Sequence, residues 1–236
     1  MTTSIEIYSS NKELAEDFAK EIIDKIDSAS RGENPFSIML SGGNTPKMLF
    51  MQLAKLSSKV KSWEHVHFYW GDERCVPPDH TESNFGMAKE ELLDYLKIPE
   101  KNIHRILGEN DPEKEALRYA NEISKITSFD LIMLGMGDDG HTVSIFPNNL
   151  DLMNSSKLCE IGIHPKTGQK RITITGKVIN AAKTVAFLVT GKNKAGIIAE
   201  IFSKTSSYLT YPASYIHPEK GELKWLLDEE AASLLK

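Results

Sequence analysis

Short apolar runs alternate with stretches of helical periodicity along almost the whole chain, and this alternation restricts the fold more than any other feature. Residues 5–8, 36–40, 66–70, 129–134, 184–189 and 223–227 read as strands, with extended pieces near 103–106, 158–163 and 171–175. Helical spacing covers 12–26, and a second helix is entered at Pro46 and carried through Leu49, Leu53 and Leu56. Further helices are expected over 84–96 and 113–126, from near Lys194, and briefly after the last strand. Repeated strand–helix units predict a mainly parallel sheet covered on both faces. No linker, internal repeat or low-complexity tract divides the 236 residues, so 1–236 is expected to be one domain.

Composition narrows the class. Hydrophobic residues make up 40% and charged residues 26%, which excludes disordered and fibrous chains. The net charge of −5 argues against a general nucleic-acid coat, yet one site with a few local cations can still take a small anion. Two cysteines, Cys75 and Cys159, are too few for a disulfide framework and point to a reducing compartment. The N-terminus shows no basic stretch followed by an apolar run, and nowhere do about 18 apolar residues run together. A cytoplasmic enzyme or small-molecule binder is expected.

In parallel-sheet folds ligands bind beyond the carboxyl ends of the strands. The loops after Leu40, Trp70, Leu134 and Val189 are therefore the places for chemistry. After Leu40, Ser41-Gly42-Gly43-Asn44-Thr45-Pro46 joins a strand to a helix. Its glycines allow close backbone approach, and its hydroxyls and helix-start amides suit an anion. It is not a P-loop, because the terminal lysine–hydroxyl pair is absent. After Trp70, Gly71-Asp72-Glu73-Arg74 places two acids and an arginine where they are expected to face ligand or solvent rather than the core. Arg74 offers a planar fork of donors to a carbonyl or phosphate.

The loop after Leu134 is the most informative: Gly135-Met136-Gly137-Asp138-Asp139-Gly140-His141-Thr142. It contains the dinucleotide pattern G-x-G-x-x-G, but two aspartates inside it would oppose a pyrophosphate, and it lies past mid-chain. What remains is a histidine at an expected helix start with a carboxylate two residues earlier. Such a histidine can take a proton from water once a neighbour fixes its tautomer. In the C-terminal half, Arg171 and Lys194 converge on a phosphate if their strands are neighbours. Lys166, Lys170, Lys192 and Lys220 read as surface charges. His65-x-His67 has half the geometry of a metal site but no third ligand nearby, and is read as packing or surface. Cys75 stands beside Arg74, a neighbour that would lower its thiol pKa, but nothing else supports a nucleophile there.

Together these segments resemble the 6-phosphogluconolactonases, within the wider group that includes glucosamine-6-phosphate deaminases. The resemblance is carried by SGGNTPKMLF at 41–50, WGDERCVPPDHTESNFGMAKEELL at 70–93, FDLIMLGMGDDGHTVSIFP at 129–147, RITIT at 171–175 and VTGKNK at 189–194. Deaminases typically carry Asp-Glu-Tyr in the second block and a glutamate five residues after the histidine. Here those positions hold Asp72-Glu73-Arg74 and Phe146, which favours the lactonase branch. The family often has Ala-Ser-Leu after the histidine–threonine pair, where this chain has Val143-Ser144-Ile145.

The resemblance implies a Rossmann-like three-layer α/β sandwich and hydrolysis of 6-phospho-D-glucono-1,5-lactone without cofactor or metal. The expected partner is that small sugar phosphate, with no nucleic acid or membrane partner and a monomer or weak homo-oligomer as the state. The expected roles are His141 as base and Asp139 as its orienting carboxylate. Arg74 holds the lactone end or its developing charge, and Asp72, which matches an acid of the deaminase pattern, either joins the catalytic set or only binds sugar hydroxyls. Ser41, Gly42, Gly43, Thr45, Arg171 and Lys194 hold the phosphate. A deaminase or isomerase of an amino-sugar phosphate, or a non-catalytic sugar-phosphate sensor, are the alternative readings.

Overall fold

The computed structural model describes residues 2–30, 35–205 and 207–235. In chain order its elements are β1 (Thr2–Tyr8), α1 (Asn11–Ala29), β2 (Phe36–Leu40), α2 (Asn44–Leu56), β3 (Val66–Trp70), β4 (Asp72–Arg74), α3 (Asn84–Glu91) and β5 (Ile103–His104). There follow α4 (Pro112–Ile123), β6 (Leu131–Leu134), β7 (Cys159–Ile163), β8 (Lys170–Ile174), α5 (Gly176–Asn180) and β9 (Thr184–Val189). The last elements are α6 (Ala195–Ser203), β10 (Glu222–Asp228) and α7 (Glu229–Ala232).

Seven strands form a sheet in the order β1-β10-β9-β6-β2-β3-β5, parallel at every pairing. Its central strands β2, β6 and β9 are buried along their full length. That is why they read as continuous apolar runs rather than as alternating ones. On β10, successive side chains point to opposite faces. Lys224 there pairs with Glu21 of α1 at 2.6 Å, while Trp225 meets Phe202 of α6 edge-on at 5.3 Å. Helices α1 and α6 therefore cover opposite faces, which makes the three layers expected from the strand–helix alternation.

A second sheet, antiparallel with order β4-β8-β7, corrects two readings. The extended pieces near 158–163 and 171–175 do not join the parallel sheet; they pair with each other and with β4. Residues 72–74, read as loop, form the short strand that connects the two sheets. Gly71 is the junction: its N–H donates to Leu40 O on β2 at 2.9 Å, and its carbonyl accepts from Ile174 N on β8 at 2.9 Å. A Cβ there would lie 2.9 Å from Val143 Cγ1, so the crossing needs glycine. Tyr119 of α4 satisfies the end of β3, its hydroxyl accepting from Trp70 N and donating to Trp70 O, each at 2.9 Å.

The helix expected over 84–96 is shorter. It ends at Glu91, and Leu93–Tyr95 continue as a 3-10 turn that lets the neighbouring Leu92 and Leu93 both turn inwards. No helix is long and apolar enough to cross a membrane among the described residues.

Candidate active site

The loops after β2, β3, β6 and β9 converge because those four strands are neighbours and run in one direction. Between them and β8 of the small sheet lies a cleft of about 420 Å³, lined by Ser41, Gly42, Gly43, Thr45, Asp72, Arg74, His141, Arg171 and Lys194. Asp139 stands behind His141. Arg171 lies on β8 of the small sheet and Lys194 in the turn after β9 of the large one, so both line the cleft without being on adjacent strands.

The first wall is the glycine loop. Ser41 Oγ donates to Met133 O at 2.7 Å and ties β2 to β6. A Cβ on Gly42 would stand 1.9 Å from Asn84 Oδ1, and Gly43 has φ +111°, a conformation that favours glycine. Gly43 begins α2 without a side-chain cap, so amides of the first helical turn remain free toward the cleft. Thr45 Oγ1 and Thr190 Oγ1 are 2.8 Å apart and join this loop to the one after β9.

The base of the cleft is His141. It does not begin a helix, which corrects the expectation. Gly140 (φ +75°) and Val143 (φ +47°) turn the backbone in opposition to helical continuation, and Thr142 bridges to Ile145. A valine in the left-handed region costs about 1–3 kcal/mol, strain that the bonds of its neighbours must hold. Thr142 Oγ1 donates to Gly135 O at 2.9 Å, and Ser144 Oγ donates to Asp72 Oδ2 at 2.6 Å. His141 Nδ1 lies 2.5 Å from Asp139 Oδ1. A carboxylate can only accept, so Nδ1 carries the proton and Nε2 presents its lone pair. Gly137 makes room for the ring: a Cβ there would lie 2.0 Å from His141 Nδ1.

Burial raises the Asp139 carboxyl, but the bond and charge of His141 overcome it and carry the pKa down from 3.8 to about 2. A depressed carboxylate stabilises the fold above its unfolded pKa, and that contribution is lost as pH falls through about 2. A carboxyl-carbon NMR titration is expected to find Asp139 ionised down to about pH 2; a midpoint near 4 would contradict the pairing.

The opposite wall carries the cations. Arg74 on β4 and Arg171 on β8 are direct cross-strand partners. Like charges so placed repel, and burial together with Arg74 lowers the Arg171 pKa. Arg74 Nε is buried with no partner. An anion placed between the two guanidiniums would offset that repulsion. Lys194 pairs with Asp138, whose Oδ1 also accepts from Asn193 Nδ2 at 2.7 Å.

Glu73 corrects the expectation that both acids face ligand or solvent. It is 2% exposed, and it caps α3 from below. Its carboxylate accepts from Arg74 N at 2.7 Å, Asn84 N at 2.8 Å, Phe85 N at 2.8 Å and Ser83 Oγ at 3.1 Å. Asp72 is also buried but opens on the cleft, held by Ser144 and by Asn84 Nδ2 at 3.1 Å. Burial pushes the Cys75 thiol up, opposite to the lowering expected from Arg74. His67 packs against His104, with 2.9 Å between Nδ1 and Nε2, and His65 is exposed. Asn84, Ser144, Thr190 and Asn193 were not singled out as site residues by sequence reasoning. Ser83 caps α3 and so sets Asn84 at the helix start beside Asp72.

The family model described as glucosamine-6-phosphate isomerases/6-phosphogluconolactonase matches residues 9–225. The chain belongs to this family. The 6-phosphogluconolactonase of Haemophilus influenzae is 44% identical over 225 residues, covering 92% of this chain and 97% of that protein. That of Aggregatibacter actinomycetemcomitans is 45% identical over 210 residues, covering 87% and 90%. The solved 6-phosphogluconolactonase of Thermotoga maritima superposes with a TM-score of 0.85 at 30% identity, over 96% of this chain and all of that one.

Proposed function

We infer that this chain is an enzyme that hydrolyses 6-phospho-D-glucono-1,5-lactone to 6-phospho-D-gluconate, the second step of the oxidative pentose phosphate pathway. The observation that carries the reading is the His141–Asp139 pair set in one cleft with the unneutralised Arg74–Arg171 pair. A histidine with a free Nε2 suits water activation, and two guanidiniums suit a substrate that carries a phosphate and gains negative charge at its carbonyl. The kinship with named lactonases supports the same substrate.

His141 Nε2 takes a proton from water, whose oxygen adds to C1 and places negative charge on the former carbonyl oxygen. Arg74, which lines the cleft, stabilises that charge. As the C1–ring oxygen bond breaks, the imidazolium returns its proton to the departing oxygen. Asp139 holds the tautomer and balances the imidazolium. Lys194, Arg171, Ser41, Gly42, Gly43 and Thr45 hold the phosphate by charge, hydroxyl and amide. Asp72, aligned by Ser144 and Asn84, accepts from sugar hydroxyls. An activated ester needs only modest acceleration, within reach of one base and good positioning.

Phe146 supports the lactonase over the deaminase reading. At the position where deaminases carry glutamate, it is a fully buried ring 4.6 Å from the His141 ring. The protein is expected to consume lactone generated in situ far faster than the spontaneous rate, followed by NMR, and to release no ammonia from glucosamine 6-phosphate. Ammonia release would overturn the assignment, and tight sugar-phosphate binding without turnover would point to a sensor. A cytoplasmic location for the single domain 1–236 is proposed with it, in keeping with two unpaired cysteines.

A further inference from the structure

We propose that Gln169 and Glu82 form a bridge that links Arg171 to Arg74 at the edge of the cleft and positions the two guanidiniums for a phosphate-bearing ligand, an inference that rests on the lactonase reading. Arg171 Nε donates to Gln169 Oε1 at 3.1 Å, and Gln169 Nε2 donates to Glu82 Oε2 at 3.1 Å. Glu82 closes the circuit through its backbone, where its carbonyl accepts from Arg74 Nη1 at 2.6 Å. The four residues thus join the β7–β8 turn to the loop before α3, two segments far apart in sequence that flank the cleft. Turn geometry aims Gln169 at this gap: Gly168 has φ +69°, its N–H donates to His164 O at 2.9 Å, and His164 N donates to Gln169 O at 3.0 Å.

The chemistry of the bridge is selective. A guanidinium is planar, so fixing Nε of Arg171 and one Nη of Arg74 sets the direction of the remaining donors. The group that touches Arg171 is a neutral amide. A carboxylate in its place would neutralise the guanidinium and compete with phosphate for it. Gln169 therefore passes on position without passing on charge, and the Glu82 carboxylate is kept one residue away from Arg171. The two residues are positioning residues and touch no reacting atom.

The test compares steady-state kinetics on the lactone for wild type, Gln169→Ala, Glu82→Ala, the double variant and Glu82→Gln. Both alanine variants are expected to raise KM roughly 3- to 10-fold through Arg171, the effect of one lost positioning bond, with kcat held within about twofold because Arg74 keeps its bond to the Glu82 backbone carbonyl. The double variant is expected to be no worse than the worse single one, because either change breaks the same bridge. Glu82→Gln keeps the acceptor and is expected to restore KM, which a purely electrostatic role for Glu82 would not. An unchanged KM in Gln169→Ala, additive singles, or a fall in kcat at constant KM would each overturn the proposal. If the wild type does not accelerate lactone hydrolysis, the lactonase reading fails by itself. The bridge is then judged by calorimetric affinity for inorganic phosphate and 6-phosphogluconate, where the same ranking is required and equal affinities would overturn it.

Discussion

Exchange of His141 for alanine is expected to lower kcat by about 10²- to 10⁴-fold, the range that a positioned general base supplies. KM should move little, because Arg171, Lys194 and the glycine loop remain in the cleft. The assay is the NMR decay of lactone generated in situ, corrected for spontaneous hydrolysis. The reason for so large an effect lies in how narrowly the ring is placed. Asp139 fixes its proton on Nδ1, Phe146 lies against one side of it, and Gly137 leaves the space in which it sits. Among the described residues that line the cleft, His141 is the only imidazole. Rapid turnover by the alanine variant would leave the lactonase reading standing and remove His141 from the base role.

The second large effect falls on stability rather than chemistry. Replacing Glu73 with alanine leaves three backbone amides and the Ser83 hydroxyl without their acceptor in a buried place. Each orphaned buried donor costs about 1–3 kcal/mol, so a loss of roughly 3 kcal/mol or more is expected. For a chain of this size that corresponds to a fall in Tm of about 6–12 °C, read by calorimetry. Glu73→Gln keeps an acceptor oxygen but turns an amide group toward the donors, and should lie between the two. A change in Tm below about 2 °C for the alanine variant would show that the carboxylate is not the anchor described. KM should rise as well, since the same carboxylate holds the backbone of Arg74 and the start of α3.

The difference between Glu73 and its neighbours shows where sequence reading reaches and where it stops. Strands such as Phe36–Leu40, Val66–Trp70 and Thr184–Val189 are legible because a buried parallel strand is apolar at nearly every position. The cleft was legible because all four of its loops begin where such a run ends in glycine or small polar residues. The small sheet was not. Its strand Asp72–Arg74 is three residues long, and its pairing with Lys170–Ile174 lies almost a hundred residues away. Nothing local distinguishes Asp72, open on the cleft, from Glu73, turned beneath α3. Strand alternation separates them only once 72–74 is known to be a strand. His141 was found for its chemistry yet given the wrong backbone, since Gly140 and Val143 carry left-handed φ values that the sequence does not announce for valine.

The pairing of β1 with β10 has a consequence for synthesis on the ribosome. Thr2–Tyr8 finds its hydrogen-bonding partner in Glu222–Asp228, roughly 200 residues downstream. At translation speeds of about 5–20 residues per second, the first strand waits on the order of 10–40 s with its backbone unmatched. Throughout that time Ile5 and Ile7, still half exposed even in the finished fold, are open to wrong partners. Glu6 between them places a negative charge on the waiting strand, and once β10 arrives the same carboxylate closes on Lys224 at 3.1 Å. The charge that sets the waiting strand against edge-to-edge pairing is thus the one that joins β1 to β10 in the finished sheet.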